Sequence, residues 1–208
     1  MADVTVKILE PAINFDLISL EELKLALGLP VAADPASDPQ LEFLIDVNSS
    51  VISTLTNRVF AREKVRETWR CLGTRRVYLT HWPVKEEDIE SVTTDGLDNI
   101  DYELEEGSGK LSIFTGRTEP IVVTYTGGFN LPDDAPDALK QAAALMVSTS
   151  KGEQAAAALT GVRMIAHKES RVMFHSNTGT SSGGGGGASN NTRETVKALL
   201  HHYTRQWI

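Results

Sequence analysis

The chain of 208 residues has few of the features that would mark a secreted, metal-binding or membrane-spanning protein. Cys71 is the only cysteine, which excludes an intrachain disulfide and a zinc site built from several cysteines. A run of about 18 apolar residues, as a membrane span requires, is absent. The residues after Met1 also lack the charged-then-apolar order of a secretory signal. We therefore expect a cytoplasmic product with no membrane partner.

Positive charge is scarce except near the end of the chain. Residues 1–57 hold two basic and nine acidic residues, and residues 58–150 hold eleven and sixteen. Residues 151–208 reverse the balance, with seven basic and three acidic residues. An acidic body is poorly suited to gripping nucleic acid, because Lys and Arg supply most of the non-specific affinity for phosphate. A nucleic-acid binder that uses the positive tail remains one alternative.

No residue pattern typical of catalysis or of a bound cofactor is present. The pair Gly109-Lys110 lacks both the first glycine and the Ser or Thr of a phosphate-binding loop, so a hairpin turn is the better interpretation. The five histidines are not spaced as metal ligands, and no Gly-x-Ser-x-Gly elbow occurs. We predict no enzyme, no cofactor and no metal. A small enzyme or ligand-binding domain with an acidic cleft stays open as an alternative.

Three helices are predicted in the body of the chain. Ser19-Leu-Glu-Glu22 is a capping box that opens a short helix ending at Gly28. Asp38-Pro39 opens a longer helix that runs to about Phe60, and the acids and prolines of Leu131 to Pro136 open a third. Asn48 falls on the apolar stripe of the second helix. It is either a hydrogen-bonded core amide, which we favour, or a contact with another subunit.

Between residues 62 and 126 the apolar residues alternate, as they do in half-buried strands. Turns are expected at Gly73-Thr74, Gly107-Ser-Gly109 and Gly116-Arg117. We expect a small antiparallel sheet with one covered face. The predicted strands are Val65 to Leu72, Arg76 to Thr80, Ile89 to Thr94, Asp101 to Glu105, Lys110 to Phe114 and Ile121 to Thr126.

The chain ends in a predicted helix behind a run of small residues. That run, Thr178 to Asn191, includes five consecutive glycines at Gly183 to Gly187, and Asn191-Thr-Arg-Glu194 then has the pattern of a capping box. One face of the helix is apolar, and a helix this short needs a surface on which to bury such a face. The surface is either the chain's own body, whose core the helix would complete, or another subunit. The residues of this apolar face are Val196, Leu199, Leu200, Tyr203 and Trp207.

The sequence therefore predicts an α+β protein with a mainly helical body, a small antiparallel β-region inserted between helices and a tethered carboxy-terminal helix. The body comprises residues 1–152, with the sheet at about 62–126. Residues 153–177 form an extension or arm, residues 178–191 a Gly/Ser-rich tether and residues 192–208 the docking helix.

The order of these parts resembles the head-to-tail connector, or adaptor, proteins of tailed bacteriophages. The resemblance runs from about Leu17 to Trp207. The motifs that carry it, in order, are the Ser-Leu-Glu-Glu-Leu-Lys helix, the long helix ending Thr56-Asn-Arg58, the strand closing at Tyr125-Thr-Gly-Gly128, the Leu-Pro-Asp-Asp helix start and the helix containing Val196-Lys-Ala-Leu-Leu200.

The resemblance implies a structural virion protein that forms a ring, usually of twelve copies, beneath the portal. In the family the carboxy-terminal helix engages the portal, so Val196, Leu199, Leu200, Tyr203 and Trp207 would be the portal anchor. The opposite end of the ring would receive the next neck or tail protein, and DNA would pass through without specific binding. The expected location is the virion neck, and the host cytoplasm during assembly.

Two further expectations follow from this interpretation. A stopper or tail-terminator ring of the same neck is the main alternative, because its construction is similar. Truncation after Asn190 is expected to leave a folded body that no longer joins portal-bearing heads.

Overall fold

The computed structural model describes residues 3–31, 37–70, 75–94, 100–114, 120–158, 164–167, 170–173 and 187–205. The α-helices in these ranges are α1 (Leu20–Ala26), α2 (Asp38–Thr56), α3 (Asp137–Ala158) and α4 (Gly187–His201). The strands are β1 (Asp3–Glu10), β2 (Glu63–Arg70), β3 (Arg76–Tyr78), β4 (Ile89–Thr94), β5 (Tyr102–Glu105), β6 (Lys110–Ile113), β7 (Ile121–Gly127), β8 (Met164–His167) and β9 (Ser170–Met173). Within the described ranges, no helix is long and apolar enough to cross a membrane.

Two antiparallel sheets share one hydrophobic core. The first sheet has the strand order β1-β2-β7-β4, and the second has the order β3-β6-β5. Buried residues of the first sheet, such as Val65 and Val123, lie in the same cluster as Val77 and Leu111 of the second. Burial alternates along β2, as the two-residue period of a strand requires. The strands β8 and β9 pair with each other as a separate hairpin.

The prediction of a mainly helical body with a small inserted β-region is wrong. Among the described residues, strands account for 30% and helices for 38%. The strand β1 precedes every helix and pairs with β2 along nearly its whole length, so the sheet is not an insertion between helices. The physical reason is that two sheets cover each other, which gives the β-region a hydrophobic core of its own.

The helices enclose a second hydrophobic core. It joins Leu23 of α1, Ile45 and Ile52 of α2, and Leu139 and Val147 of α3. The predicted capping box is confirmed, because the Ser19 hydroxyl accepts from the Glu22 N–H while the Glu22 carboxylate accepts from the Ser19 N–H. α2 ends at Thr56 and is capped by Asn57, whose φ of 53° lies in the left-handed region that favours Asn and Gly.

Asn48 is a hydrogen-bonded core amide, as favoured from the sequence. Its side chain is buried, and Nδ2 donates to the Leu44 carbonyl at 2.7 Å. The Ser150 hydroxyl lies 3.4 Å from Asn48 Oδ1. The amide therefore joins α2 to α3 inside one chain.

All six predicted strands are present, with ends shifted by a few residues. The turn at Gly107–Gly109 is also confirmed, since it connects β5 to β6 and Gly109 has a φ of 65°. The turns predicted at Gly73-Thr74 and Gly116-Arg117 lie outside the described residues. So do residues 178–186 of the predicted tether. α4 begins at Gly187 rather than at the predicted capping box of Asn191 to Glu194.

Candidate interaction site at the carboxy-terminal helix

The carboxy-terminal helix α4 packs on the body of its own chain. Val196 and Leu200 are only 6% and 4% exposed and belong to the same core as α2 and α3. The apolar face of α4 therefore covers that core, as the amphipathic pattern of the helix requires. The sequence left open whether α4 packs on the chain's own body or on another subunit. Val196 and Leu200 pack on the chain's own body.

The five residues predicted as a portal anchor have different environments. Val196 and Leu200 are buried, while Leu199 and Tyr203 are half-buried against the helical core. Trp207 lies outside the described residues. Because contact with a portal is a property of a complex, their role as an anchor stays a prediction.

Tyr203 joins an aromatic cluster where the helices meet the sheets. Its ring meets the Trp82 ring edge to face, with centroids 5.5 Å apart, and the Phe60 ring with centroids 6.2 Å apart. Trp82 makes a similar contact with Phe129 at 5.8 Å. Such pairs contribute about 0.5–1.5 kcal/mol each beyond the burial of their area. The end of α4 is thus fixed to the segment that precedes β2 and to the segment that follows β3.

Two arginines connect the ends of α2 and α4 reciprocally, and we call Arg58 and Arg205 the arginine clasp. Arg58 follows the end of α2, and its Nε donates to the Tyr203 carbonyl at 3.2 Å. Arg205 follows the end of α4, and its backbone N–H donates to the Thr56 carbonyl at 2.8 Å. Both carbonyls lie at helix ends, which carry partial negative charge and favour a nearby cation.

The side chains of the clasp also reach the sheets. Arg58 donates to the Leu79 carbonyl at 3.2 Å and to the Ser108 carbonyl at 2.6 Å. Arg205 donates to the Thr80 hydroxyl at 2.9 Å, and its guanidinium lies 5.1 Å from the centre of the Trp69 ring. Burial, together with the positive charge of Arg205, lowers the pKa of Arg58 to about 10. Burial also lowers the pKa of Arg205.

A buried acidic group lies beside the clasp. Glu67 is completely buried, and its Oε1 accepts from the Tyr125 hydroxyl at 2.5 Å and from the Thr80 N–H at 3.0 Å. Its negative charge raises the pKa of Arg58 and of Arg205, which opposes the lowering caused by burial. Burial, followed by the charge and hydrogen bond of Glu67, raises the pKa of Tyr125 well above its ordinary value. Glu67 thus offsets part of the cost of burying two guanidinium groups.

A second carboxylate and a histidine extend this group. His81 Nε2 lies 2.8 Å from Glu63 Oε2, and both side chains are buried. The other oxygen of Glu63 accepts from the Ala12 N–H at 3.1 Å, and the His81 N–H donates to the Tyr125 hydroxyl at 3.1 Å. Among the described residues no group of three His, Cys, Asp or Glu could hold a metal ion. These bonds connect Ala12, which follows β1, and His81, which follows β3, to the strands β2 and β7.

The clasp and its acids were not predicted from the sequence, although one signal was present. Glu63 and Glu67 occupy the same face of β2 as Val65 and Trp69, so the alternating pattern places two carboxylates on an apolar face. Charged residues at such positions are paired when they are buried. No comparable signal marks Arg205, whose partners lie far away in the sequence.

A cleft of about 520 Å³ lies between α2, α3 and α4. Leu55, Met146 and Val196 contribute apolar walls, and Asn48 and Thr204 contribute polar groups. No ionisable acid lines it among the described residues. Arg193 and Lys197 of α4 also line it.

The protein thus has two hydrophobic cores, and the end of α4 is fixed where these cores meet. Residues 16–154 match the model of the head completion protein family, and the chain belongs to that family. None of the curated proteins matches the chain.

Several solved structures of gene transfer agent particles contain a chain with a similar fold. A chain in the neck of an empty gene transfer agent particle, computed with C6 symmetry, has a TM-score of 0.55 at 14% identity and covers 98% of this chain and 97% of its own. A chain in the neck of the native particle, computed with C12 symmetry, has a TM-score of 0.51 at 12% identity, with 98% and 97% covered. A chain of the native gene transfer agent virion has a TM-score of 0.53 at 13% identity, covering 98% of this chain and 96% of its own. These similarities show the fold.

Proposed function

We propose that this chain is a structural subunit of a connector ring in the neck of a phage-like particle. The ring, of twelve copies, joins the portal to the next neck or tail protein around the DNA conduit. The observation that carries the proposal is membership of the head completion protein family over residues 16–154. The likeness to neck chains over 98% of this chain supports it, as do the C6 and C12 symmetries of those assemblies.

The proposed portal contact is the end of the molecule that carries α4. Val196 and Leu200 hold the helix on the helical core. Leu199 and Tyr203, which are only half-buried, and Trp207 provide the surface for the portal. The arginine clasp supports this role, because it fixes the end of α4 to both cores and so presents the contact residues on a rigid base.

DNA passes through the proposed ring without specific binding, and the chain carries out no chemistry. The net charge of −8 supports weak attraction to phosphate, because a duplex is held mainly by cations. The proposed location is the virion neck, reached from the host cytoplasm during assembly.

Binding to portal-bearing, DNA-filled heads tests the proposal. The purified chain should cosediment with such heads, and light scattering should show a multimer when portal is added to the monomer. A variant that combines Leu199→Asp with Trp207→Ala should lose this binding, whereas Leu25→Ala, at a leucine 75% exposed on α1, should keep it. Binding of the wild type to purified tails but not to heads would instead identify a stopper or tail-terminator ring.

A further inference from the structure

The cleft between α2, α3 and α4 combines apolar walls with positive charge. Leu55, Met146 and Val196 form the walls, and Leu55 is 58% exposed. Arg193 and Lys197 line the same cleft from α4, where both are exposed. Since no carboxylate lines the cleft among the described residues, it fits an apolar side chain that has acidic residues beside it.

An exposed aromatic side chain surrounded by acidic residues lies elsewhere on α2. Phe43 is 62% exposed and lines a surface depression. Three acidic residues line the same depression, and we call them, together with Phe43, the acidic knob: Asp16, Glu42 and Asp46. Burial and the negative charges of Asp46 and Glu42 raise the pKa of Asp16, so the three carboxylates repel one another. In the described part of the chain, no Lys or Arg lines the depression or forms an ion pair with these carboxylates.

The acidic knob and the cleft face in opposite directions from α2. Asn48 lines the cleft, and Asp46 of the acidic knob precedes it by two residues. At about 100° per residue, these two positions lie on opposite sides of the helix, about 200° apart. The acidic knob therefore cannot reach the cleft of its own chain, whereas another copy of the chain can present its acidic knob there.

The opposite directions of the two surfaces suit a ring. Two different surfaces that fit each other join copies head to tail, and they close a ring when the rotation between copies allows it. A surface that fits itself would instead give a two-fold dimer. Pairing of two acidic knobs would bring carboxylates together, and pairing of two clefts would bring their basic residues together, so like charges disfavour both.

We propose that the acidic knob of one copy docks in the cleft of the next copy around the ring. This inference rests on the proposed ring. Phe43 enters between the apolar walls, in a volume of about 520 Å³ that is large enough for an aromatic side chain. Glu42 and Asp46 then face the basic residues of the neighbour, Arg193 and Lys197, which relieves the repulsion within the acidic knob.

This contact is compatible with the proposed portal contact. Leu199 and Tyr203 do not line the cleft, so one copy can bind the portal and its neighbour at the same time. Different residues of α4 therefore serve the two contacts.

Chemical crosslinking on portal-bearing heads tests the contact directly. Two chains are prepared in a Cys71→Ser background, one with Asp46→Cys and the other with Lys197→Cys. In an equimolar mixture, a short bis-maleimide should join the two chains into dimers on a denaturing gel, whereas neither chain alone should give dimers. The matched control replaces Asp46→Cys by Leu25→Cys, at an exposed leucine of α1, and its mixture should stay monomeric.

Charge reversal provides the second test. Glu42→Lys combined with Asp46→Lys should weaken ring formation on heads by about tenfold or more, because like charges would then face each other across the contact. Adding Arg193→Glu and Lys197→Glu to the same chain should restore ring formation. All four positions are exposed, and circular dichroism checks that each variant folds.

Removal of the aromatic side chain provides the third test. Phe43→Ala should weaken ring formation on heads, because it removes the side chain that enters the cleft. The matched control is Leu25→Ala, which removes an exposed apolar side chain of α1 and should leave ring formation unchanged.

The outcomes separate this inference from the proposed function. Rings that form on heads but give no crosslinked dimers, or that tolerate charge reversal, would overturn the contact between the acidic knob and the cleft and leave the connector role intact. Crosslinks from Lys197→Cys to the portal would also overturn it and would assign the cleft to the portal. If the wild-type chain forms no ring on portal-bearing heads, both proposals are wrong.

Discussion

At the scale of single residues, Gly128 shows why the Tyr125-Thr-Gly-Gly128 ending requires glycine. Its φ is 105°, which side chains rarely allow. A Cβ there would lie 2.2 Å from the Ala61 carbonyl oxygen, closer than any real contact. This close approach lets the next residue, Phe129, donate its N–H to the Phe60 carbonyl at 2.6 Å. The glycine therefore positions two members of the aromatic cluster that holds Tyr203.

Tyr125 gives the protein a definite pH dependence. Its pKa is raised well above 10 in the folded state, so the folded protein keeps the phenolic proton while the unfolded chain loses it near pH 10. The unfolded state then binds fewer protons, and the free energy of unfolding falls as the pH rises. One such group contributes a slope of at most about 1.4 kcal/mol per pH unit. Urea unfolding of Tyr125→Phe should show a shallower decline than the wild type above about pH 10.

The control for this measurement is Val123→Ala, which removes a buried side chain of the same strand but keeps the tyrosine. It should lower the stability at every pH and leave the slope as in the wild type. Equal slopes for the wild type and Tyr125→Phe would show that the buried phenol does not govern the alkaline loss of stability.

At the scale of elements, the helices and six strands could be predicted because their signals are local. Capping residues, turn glycines and alternating apolar residues identify them without reference to the rest of the chain. The strand β1 was missed although Val4, Val6 and Ile8 alternate. Without it, the β-region appeared to be an insertion, and the fold class was wrong.

The environment of α4 depends on contacts that are distant in sequence. The amphipathic pattern identifies an apolar face but not the surface that covers it. That surface is set by α2 and α3, and the clasp joins Arg58 to Tyr203 across 145 residues. Sequence reasoning could therefore name the apolar residues of α4 but could not choose between the body and another subunit.

Burial of α4 residues leads to a prediction about stability. Leu200→Ala should lower the free energy of unfolding by about 2–5 kcal/mol, because it leaves a cavity in the helical core. Leu25→Ala, at an exposed position of α1, should change it by no more than about 0.5 kcal/mol. Chemical denaturation followed by circular dichroism measures both.

Truncation after Asn190 is expected to destabilise the body. Removing residues 191–208 takes away Val196, Leu200 and Arg205, so the helical core would be uncovered. Loss of head binding by that truncate would then reflect loss of stability. A stable, cooperatively folded truncate, or a Leu200→Ala variant as stable as the wild type, would contradict the core role of α4.

The clasp connects the helical core to the sheet core. Arg58 and Arg205 connect the ends of α2 and α4 to carbonyl and hydroxyl groups of residues 79, 80 and 108 beside the sheets. Glu67 supports both cations from within the sheet core. A load placed on the carboxy-terminal helix would therefore reach both cores.

This connection leads to the last prediction, which concerns cooperativity. In the wild type, amides of α3 in the helical core and of β7 in the sheet core should exchange with deuterium through the same global unfolding. Arg205→Ala removes the bond to Thr80 and the contact with Trp69. The helical core should then open at a lower free energy than β7, because one of its links to the sheets is lost while the bonds of Arg58 remain. Hydrogen exchange followed by mass spectrometry resolves the two regions.

The control for this experiment is Arg193→Ala, at an exposed arginine of α4, which should leave the two regions coupled. If Arg205→Ala lowers the protection of α3 and β7 equally, Arg205 contributes to overall stability only, and the two cores are coupled through other contacts. If α3 and β7 open separately in Arg205→Ala but not in Arg193→Ala, then Arg205 makes the two cores unfold as a single cooperative unit. The carboxy-terminal region would then combine the surface proposed for the portal with the connection that transmits its load.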